Sequence, residues 1–140
     1  MGGPLGGGVA GDGPIAVNVS AWSIDHISGV TLAVREMAES VAFYAKLGFD
    51  VSFGGADAPF TTMRAGQCVV NLRRAATSGG GAGHRVILRV RGVDALHRDL
   101  VGKGLAPTVP RDAEWGERYF EIPDPEGVVI SCAELIHSRS

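Results

Sequence analysis

The sequence has little of what marks secreted, membrane-spanning or nucleic-acid-binding proteins. Its 140 residues include two cysteines, Cys68 and Cys132, which are too few for a disulfide framework and lack the spacing of a metal site. No apolar run approaches the roughly 20 residues that a membrane-spanning helix requires. With 13 basic and 15 acidic residues the formal net charge is −2, so no overall positive field would attract nucleic acid. We therefore expect a cytoplasmic protein with two buried free thiols, and with neither a membrane nor a nucleic acid as partner.

The composition favours a single globular domain preceded by a flexible tail. Hydrophobic residues make up 45% of the chain and charged residues 20%, which is enough apolar material for a packed core. Residues 1–14 contain seven glycines and two prolines, and glycine loses the most conformational entropy on ordering, so this stretch is predicted to be the tail. Residues 15–140 form the predicted domain, and the apolar–polar alternation of residues 15–22 is typical of a short edge strand.

An internal repeat with an offset of 56 residues divides the domain into two halves. Residues 29–49 and 85–105 each begin with alternating apolar residues, change to helical spacing and end at a glycine, Gly48 or Gly104. A strand and a helix that stops at a left-handed glycine are therefore predicted in each copy. Two copies are too few for a solenoid, so the repeat indicates a duplicated half-domain.

Three strand-like segments follow each predicted helix. Those of the first half are FDVSFGG (49–55), FTTMRAG (60–66) and QCVVNLRR (67–74), with a tight Ala65-Gly66 turn before the last. Those of the second half are APTV (106–109), GERYFEI (116–122) and VVISCAEL (128–135), with the last turn at Asp124–Gly127. The sequence thus predicts two βαβββ modules, at about 27–76 and 84–136, joined by a Gly-rich linker at 77–83.

This arrangement resembles the vicinal oxygen chelate superfamily, which includes glyoxalase I, extradiol dioxygenases and bleomycin-resistance proteins. The resemblance covers residues 27–135 and is carried by three segments: GVTLAVREMAESVAFYAKLGF, HRVILRVRGVDAL and WGERYFEIPDPEGVVISCAEL. It implies an α+β fold in which two tandem modules form a curved, eight-stranded mixed sheet around a ligand cleft. It also implies a homodimer with clefts at the interface, although arm exchange by residues 15–25 cannot be decided from the sequence.

The family's metal site is not expected in this chain. Metal enzymes of the family carry His, Glu or Gln ligands at four positions, which fall here on Gly29, Asn71, Arg85 and Ser131. Glycine offers no ligand, arginine is a permanent cation, and the amide and hydroxyl are weak neutral donors. His26 and His84 lie near two of these positions but out of register, because side chains alternate faces along a strand. We therefore expect no metal and no cofactor.

The remaining cleft side chains suit a planar or aromatic ligand that carries hydrogen-bond acceptors or negative charge. The turn at 65–66 would place Phe60 opposite Asn71 and Thr62 opposite Val69. The predicted ligand-binding residues are Phe60, Thr62, Asn71, Arg73, Arg85, Ile87, Arg89, Trp115, Arg118 and Ser131.

Two of these assignments have a structural alternative. Trp115-Gly116-x-Arg118 resembles a stretch of bleomycin-resistance proteins in which a tryptophan contributes to a drug-binding groove, but the indole could instead anchor a loop. Each arginine could equally pair with an acidic residue. The sequence also leaves open whether Tyr119 or Phe120 faces the cleft.

These observations favour a metal-independent small-molecule-binding protein that sequesters an antibiotic or an aromatic metabolite. The alternative is an enzyme of the same family, a lyase, isomerase or dioxygenase. Such an enzyme would need His26 or His84 as a ligand, or a glutamate among Glu114, Glu117 and Glu121 as a base. A third reading is an accessory domain that binds another protein through exposed apolar surface.

Overall fold

The computed structural model describes residues 21–77 and 80–136. The predicted tail at 1–14, most of the predicted edge strand at 15–22 and residues 78–79 of the predicted linker lie outside the described residues. Ala21 and Trp22, at the described end of that segment, are not in a strand.

The first module forms one four-stranded mixed sheet covered by a helix. In chain order its elements are β1 (Val30–Val34), α1 (Met37–Lys46), β2 (Asp50–Phe53), β3 (Phe60–Ala65) and β4 (Cys68–Arg74). The sheet order is β1-β4-β3-β2, with β1 parallel to β4 and the other pairs antiparallel. Helix α1 packs against β4, and Val70 and Leu72 of that strand are buried, as the alternation of QCVVNLRR predicts.

The second module repeats this architecture. Its elements are β5 (Arg85–Arg89), α2 (Val93–Gly102), β6 (Arg111–Asp112), β7 (Glu117–Pro123) and β8 (Val129–Leu135). The sheet order is β5-β8-β7-β6, again with one parallel pair, β5 and β8. The predicted α+β fold of two tandem βαβββ modules is therefore confirmed, its eight strands forming two four-stranded sheets.

The hairpin between β3 and β4 differs from the sequence prediction by one residue. Its turn residues are Gly66 and Gln67, not Ala65 and Gly66, and Ala65 pairs with Cys68. Gly66 has a φ of 58°, a left-handed value that a residue with a Cβ adopts only at a steric cost, so the glycine takes the first turn position.

This change moves the cross-strand partners by two residues and leaves the faces unchanged. Thr62 lies opposite Asn71 and not Val69, and Phe60 lies opposite Arg73 and not Asn71. The side chains predicted to share a face still do so, because the side-chain period along a strand is two.

The strand predicted at APTV (106–109) is not formed, and β6 is instead the two-residue strand Arg111–Asp112. Pro107 and Pro110 lack the N–H groups that a strand ladder requires. Thr108 still contacts β7, since its N–H donates to the Glu121 carbonyl at 2.8 Å and its Oγ1 accepts from the Glu121 N–H at 2.8 Å.

The two cysteines differ in exposure. Cys132 on β8 is fully buried, and this burial raises the pKa of its thiol to about 12. Cys68 is exposed, so the prediction of two buried thiols is wrong for this residue. Cys68 begins β4 directly after the hairpin turn.

A buried hydrogen bond between Tyr44 and Asp124 joins the two modules. The Tyr44 hydroxyl on α1 donates to Asp124 Oδ2 at 2.7 Å, and both side chains are buried. Burial, followed by the bond to Asp124, raises the pKa of Tyr44 far above its usual value, so the hydroxyl remains a donor. Asp124 Oδ1 accepts the backbone N–H groups of Glu126 and Val128 at 2.8 and 2.9 Å. One carboxylate therefore both shapes the β7–β8 turn and attaches it to the other module.

Glu126 of the same turn makes a second connection. Its carboxylate accepts the backbone N–H of Arg35 at 2.8 Å and lies 3.4 Å from the Arg35 guanidinium. The Asp124–Gly127 turn is thus bonded both to helix α1 and to the connection between β1 and α1. In the part of the chain that the structure describes, neither helix is long and apolar enough to cross a membrane.

Replacing Tyr44 by Phe removes one hydroxyl and leaves Asp124 Oδ2 buried without this donor. We expect Tyr44→Phe to lower the free energy of unfolding by about 1–3 kcal/mol, the usual cost of an unmet buried hydrogen-bonding group. The measurement is urea denaturation followed by circular dichroism. The matched control is Tyr119→Phe, which removes the hydroxyl of the other tyrosine, bonded to the exposed Arg111, and should change stability by less than about 0.5 kcal/mol. Equal effects of the two substitutions would show that the Tyr44–Asp124 bond does not hold the modules together.

Candidate functional site

The second sheet carries a concavity of about 540 Å³ on the face turned away from helix α2. It is lined by side chains of all four strands and of the β6–β7 connection: Arg85, Ile87, Arg111, Trp115, Glu117, Tyr119, Glu121 and Ser131. Four of the predicted ligand-binding residues, Arg85, Ile87, Trp115 and Ser131, are therefore brought together here.

Strand alternation explains which residues of β7 reach this concavity. Phe120 and Ile122 are buried in the core, so Tyr119 and its neighbours at a spacing of two point to the opposite face. The structure thereby settles the question that the sequence leaves open, and Tyr119 faces the cleft.

Two ion pairs cross strand β8 on the concave face. Arg85 on β5 binds Glu121 on β7, and Arg89 on β5 approaches Glu117 on β7 to 3.3 Å. Between β5 and β7 the strand β8 contributes Ser131 and Ala133, which are small and buried. Arg85 and Arg89 thus follow the alternative reading, in which a cleft arginine pairs with an acidic residue.

An aromatic cluster lies beside these ion pairs. Trp115 and Tyr119 are stacked with ring centroids 6.0 Å apart and an angle of 29° between the planes, and Trp115 Nε1 donates to Glu117 at 2.8 Å. Arg111 lies with its guanidinium carbon 5.1 Å from the centre of the Tyr119 ring. Trp115 remains 70% exposed, so most of its surface is open to a bound molecule.

Arg118 does not join this cluster. It lies on the other face of β7, where it binds Asp94 of α2 and Asp112 of β6, each at 3.0 Å. These hydrogen bonds, to Asp112 first and then to Asp94, raise its pKa above the usual value for arginine. Arg118 lies between Glu117 and Tyr119 on β7, and neighbouring side chains on a strand point to opposite faces, so it faces away from the concavity that Trp115 lines.

The first sheet presents a neutral polar row on its corresponding face. Thr62 Oγ1 donates to Asn71 Oδ1 at 2.8 Å, and Asn71 Nδ2 lies 3.4 Å from Thr31 Oγ1. A second concavity of about 580 Å³ adjoins this row and is lined by His26, Ser28, Gly29, Arg64, Gly66, Gln67, Val69 and Asn71. The predicted residues Phe60 and Arg73 face each other one step further along the strands.

The four positions at which the resemblance implies metal ligands do not fit a metal ion. Gly29 has no side chain, Asn71 is bonded to two threonines, and Arg85 is a cation held by Glu121. Ser131 supplies only a hydroxyl, a poor ligand compared with imidazole or carboxylate. Within residues 21–77 and 80–136, no group of three or more His, Cys, Asp or Glu side chains is placed to hold a metal.

The two histidines near these positions lie apart. His26 is bonded to Asp25 at 3.1 Å, in the segment before β1. His84 lies just before β5, in a groove of about 330 Å³ between the first strands of the two modules.

Four residues that line the concavity were not among the predicted ligand-binding residues: Arg111, Glu117, Tyr119 and Glu121. Three of them could have been identified from the sequence. The alternation of Glu117, Tyr119 and Glu121 with apolar Phe120 and Ile122 marks one face of β7, and this pattern was available in the sequence. Arg111 had no such signal, because a two-residue strand after a proline has no readable period.

Comparison with solved structures supports the fold. A bleomycin resistance determinant encoded on the transposon Tn5 superposes with a TM-score of 0.68 at 19% identity, over 80% of this chain and 98% of that one. A bleomycin-binding protein complexed with bleomycin superposes with a TM-score of 0.65 at 19% identity, over 81% and 100%. A glyoxylase/bleomycin resistance protein/dioxygenase domain from Frankia sp. EAN1pec gives a TM-score of 0.70 at 17% identity, over 84% and 96%. At these identities the likeness establishes the fold alone.

No curated protein sequence matches the chain. The family model of the Glyoxalase/Bleomycin resistance protein/Dioxygenase superfamily matches residues 23–131, which is most of the chain and extends from before β1 into β8. The protein therefore belongs to the glyoxalase/bleomycin resistance protein/dioxygenase superfamily, the group also known as vicinal oxygen chelate proteins.

Proposed function

We propose that this protein binds a planar or aromatic small molecule without a metal ion and acts by sequestration, with an antibiotic or an aromatic metabolite as ligand. The observation that supports the proposal is the concavity of the second module. It contains the exposed indole of Trp115, stacked on Tyr119, and the described residues place no group of metal-ligating side chains there. A related fold in a bleomycin-binding protein supports a binding role. The free thiols of Cys68 and Cys132 suit a cytoplasmic location.

The charges in the concavity support binding over catalysis. Glu117 and Glu121 are the acidic side chains that line it, and each is paired with an arginine. Both oxygens of Glu117 accept hydrogen bonds, from Arg89 and Trp115, and Glu121 accepts one from Arg85, so these carboxylates are already engaged within the protein. The enzyme alternative would therefore need a proton acceptor or metal donors that the described residues do not bring to this face.

We further propose that the protein is a homodimer in which residues 21–29 pack on the partner. In this segment Trp22, Ile24 and Ile27 are 75%, 85% and 81% exposed. Three large apolar side chains so close together are rarely left in water, and a second copy of the chain would cover them.

Substitution of Trp115 tests the ligand site. We expect Trp115→Ala to weaken binding of bleomycin or of the neutral planar probe 2-naphthamide about tenfold, because stacking on an aromatic ring contributes about 0.5–1.5 kcal/mol beyond the area buried. The measurement is isothermal titration calorimetry. In a Trp22→Phe variant Trp115 is the single tryptophan, so quenching of its fluorescence reports contact directly.

The reciprocal variant, Trp115→Phe, is the matched control for the fluorescence measurement. Its remaining tryptophan, Trp22, lies outside the concavity, and its emission should not respond to the probes. Absence of calorimetric binding for both compounds in the unmodified protein would contradict the proposed function.

Chelation tests the metal-independent mechanism. A metal ion present at 100 times its dissociation constant stabilises a fold by about 2.7 kcal/mol, which corresponds to a fall in Tm of several degrees when it is removed. We expect EDTA treatment to leave both the Tm and the affinity for 2-naphthamide unchanged. Near-stoichiometric zinc, nickel, iron or manganese in protein purified without chelator would instead support the enzyme alternative.

Sedimentation tests the dimer. We expect the unmodified protein to sediment at twice the chain mass of 14.5 kDa and the double variant Ile24→Ser/Ile27→Ser to shift towards the monomer. Val109→Ser is the control, because Val109 is exposed to a similar degree but lies outside the 21–29 segment. A monomeric unmodified protein, or dissociation by the Val109 substitution alone, would refute the role given to residues 21–29.

A further inference from the structure

The Tyr119 hydroxyl is a hydrogen-bond donor with no acceptor in the described chain. Arg111 Nε and one of its terminal nitrogens both donate to the Tyr119 oxygen, at 2.9 and 2.7 Å. A phenol oxygen has two lone pairs and one hydrogen, so both lone pairs are engaged and the hydrogen is left to be donated elsewhere. The residues that the structure describes provide no partner for that hydrogen.

Arg111 is also the one arginine facing this concavity that has no carboxylate within ion-pair distance among the described residues. Arg85 and Arg89 are paired with Glu121 and Glu117. The lining of the concavity thus carries two arginines, Arg85 and Arg111, and two glutamates, Glu117 and Glu121, and Arg111 is the arginine of that lining without an ion pair among the described residues. Arg111 uses Nε and one terminal nitrogen on the Tyr119 oxygen, which leaves the N–H groups of its other terminal nitrogen for a ligand.

A flat apolar surface stands directly beside these donors. The Trp115 indole is stacked on the Tyr119 ring, and its N–H is held by Glu117. Arg111, Trp115 and Tyr119 line the same concavity, so a ring in contact with the indole can present an oxyanion to the Tyr119 hydroxyl and the Arg111 guanidinium. A neutral amide offers these donors one uncharged oxygen and a cationic ammonium offers none, so both should bind more weakly than an oxyanion.

We propose that this cleft selects planar ligands bearing an anionic oxygen group, such as a carboxylate or sulfonate, which is bound by Arg111 and the Tyr119 hydroxyl while the ring stacks on Trp115. The proposal rests on the small-molecule-binding function proposed above and assigns the charge of its ligand. It predicts weaker binding of cationic aromatic compounds than of anionic ones of the same shape.

Three naphthalene probes of equal shape and different charge test the selection. They are 2-naphthoate, the neutral 2-naphthamide and the cationic 2-(aminomethyl)naphthalene, each titrated by calorimetry at pH 7. We expect 2-naphthoate to bind about tenfold more tightly than 2-naphthamide, since hydrogen bonds to a charged group are the stronger ones, and the cation to bind most weakly.

Two substitutions locate the preference. Arg111→Gln should abolish the preference for 2-naphthoate over 2-naphthamide, because it lowers the affinity for the anion more than the affinity for the amide, and Tyr119→Phe should reduce the preference in part. The matched control is Arg98→Gln, which removes the same charge from an exposed position on helix α2, across the sheet from the concavity. Equal Tm values for the variants establish that each is folded.

The outcomes separate this proposal from the general binding function. Equal or tighter binding of the amide or the cation overturns the anion selection and leaves small-molecule binding intact. A loss of preference in Arg98→Gln as large as in Arg111→Gln overturns it as well, because the effect would then come from net charge. Failure of all three probes and of bleomycin to bind overturns both proposals together.

Discussion

The attachment of the β7–β8 turn to helix α1 is the contact on which the arrangement of the two modules depends. Each sheet completes its own hydrogen-bond ladder, and no strand of one sheet pairs with a strand of the other in the described chain. The modules are held together instead by side chains in a common core and by the buried Tyr44–Asp124 bond. A buried carboxylate is costly without partners, and Asp124 has three: one hydroxyl and two backbone N–H groups. The stability of the turn and the position of the second sheet therefore depend on the same group.

The chemistry of the concavity in the second module follows from this arrangement of the strands. Small residues on β8 allow Arg85 and Glu121 to meet across the strand, and the pair covers Ser131. Arg85 and Ser131 are two of the four positions at which the family resemblance implies metal ligands. Here Arg85 belongs to the ion pair, and Ser131 supplies the hydroxyl beneath it. The same face keeps an exposed indole, so it retains an apolar contact surface while lacking donors for a metal ion.

Much of the fold could be predicted from the sequence, and the site only in part. The repeat of strand, helix and glycine is a local pattern, and so it identified both modules and their helices. The face of β4 was predictable because Val70 and Leu72 alternate with polar residues. The cross-strand partner of Thr62 was not predictable, since it depends on which residue takes the left-handed position in the β3–β4 turn. Arg111 was not predictable either, because a two-residue strand has no period and its place is fixed only by pairing with β7.

The separation of the two ladders has a consequence for how such a chain can diversify. The faces of the two modules are chemically unlike: a neutral Thr–Asn–Thr row on one sheet and crossed arginine–glutamate pairs on the other. Because strand register is set within each sheet, substitutions on one face leave the pairing of the other sheet undisturbed. A duplicated half-domain of this kind can change its recognition chemistry one half at a time, provided that the tyrosine and the aspartate joining the halves are retained.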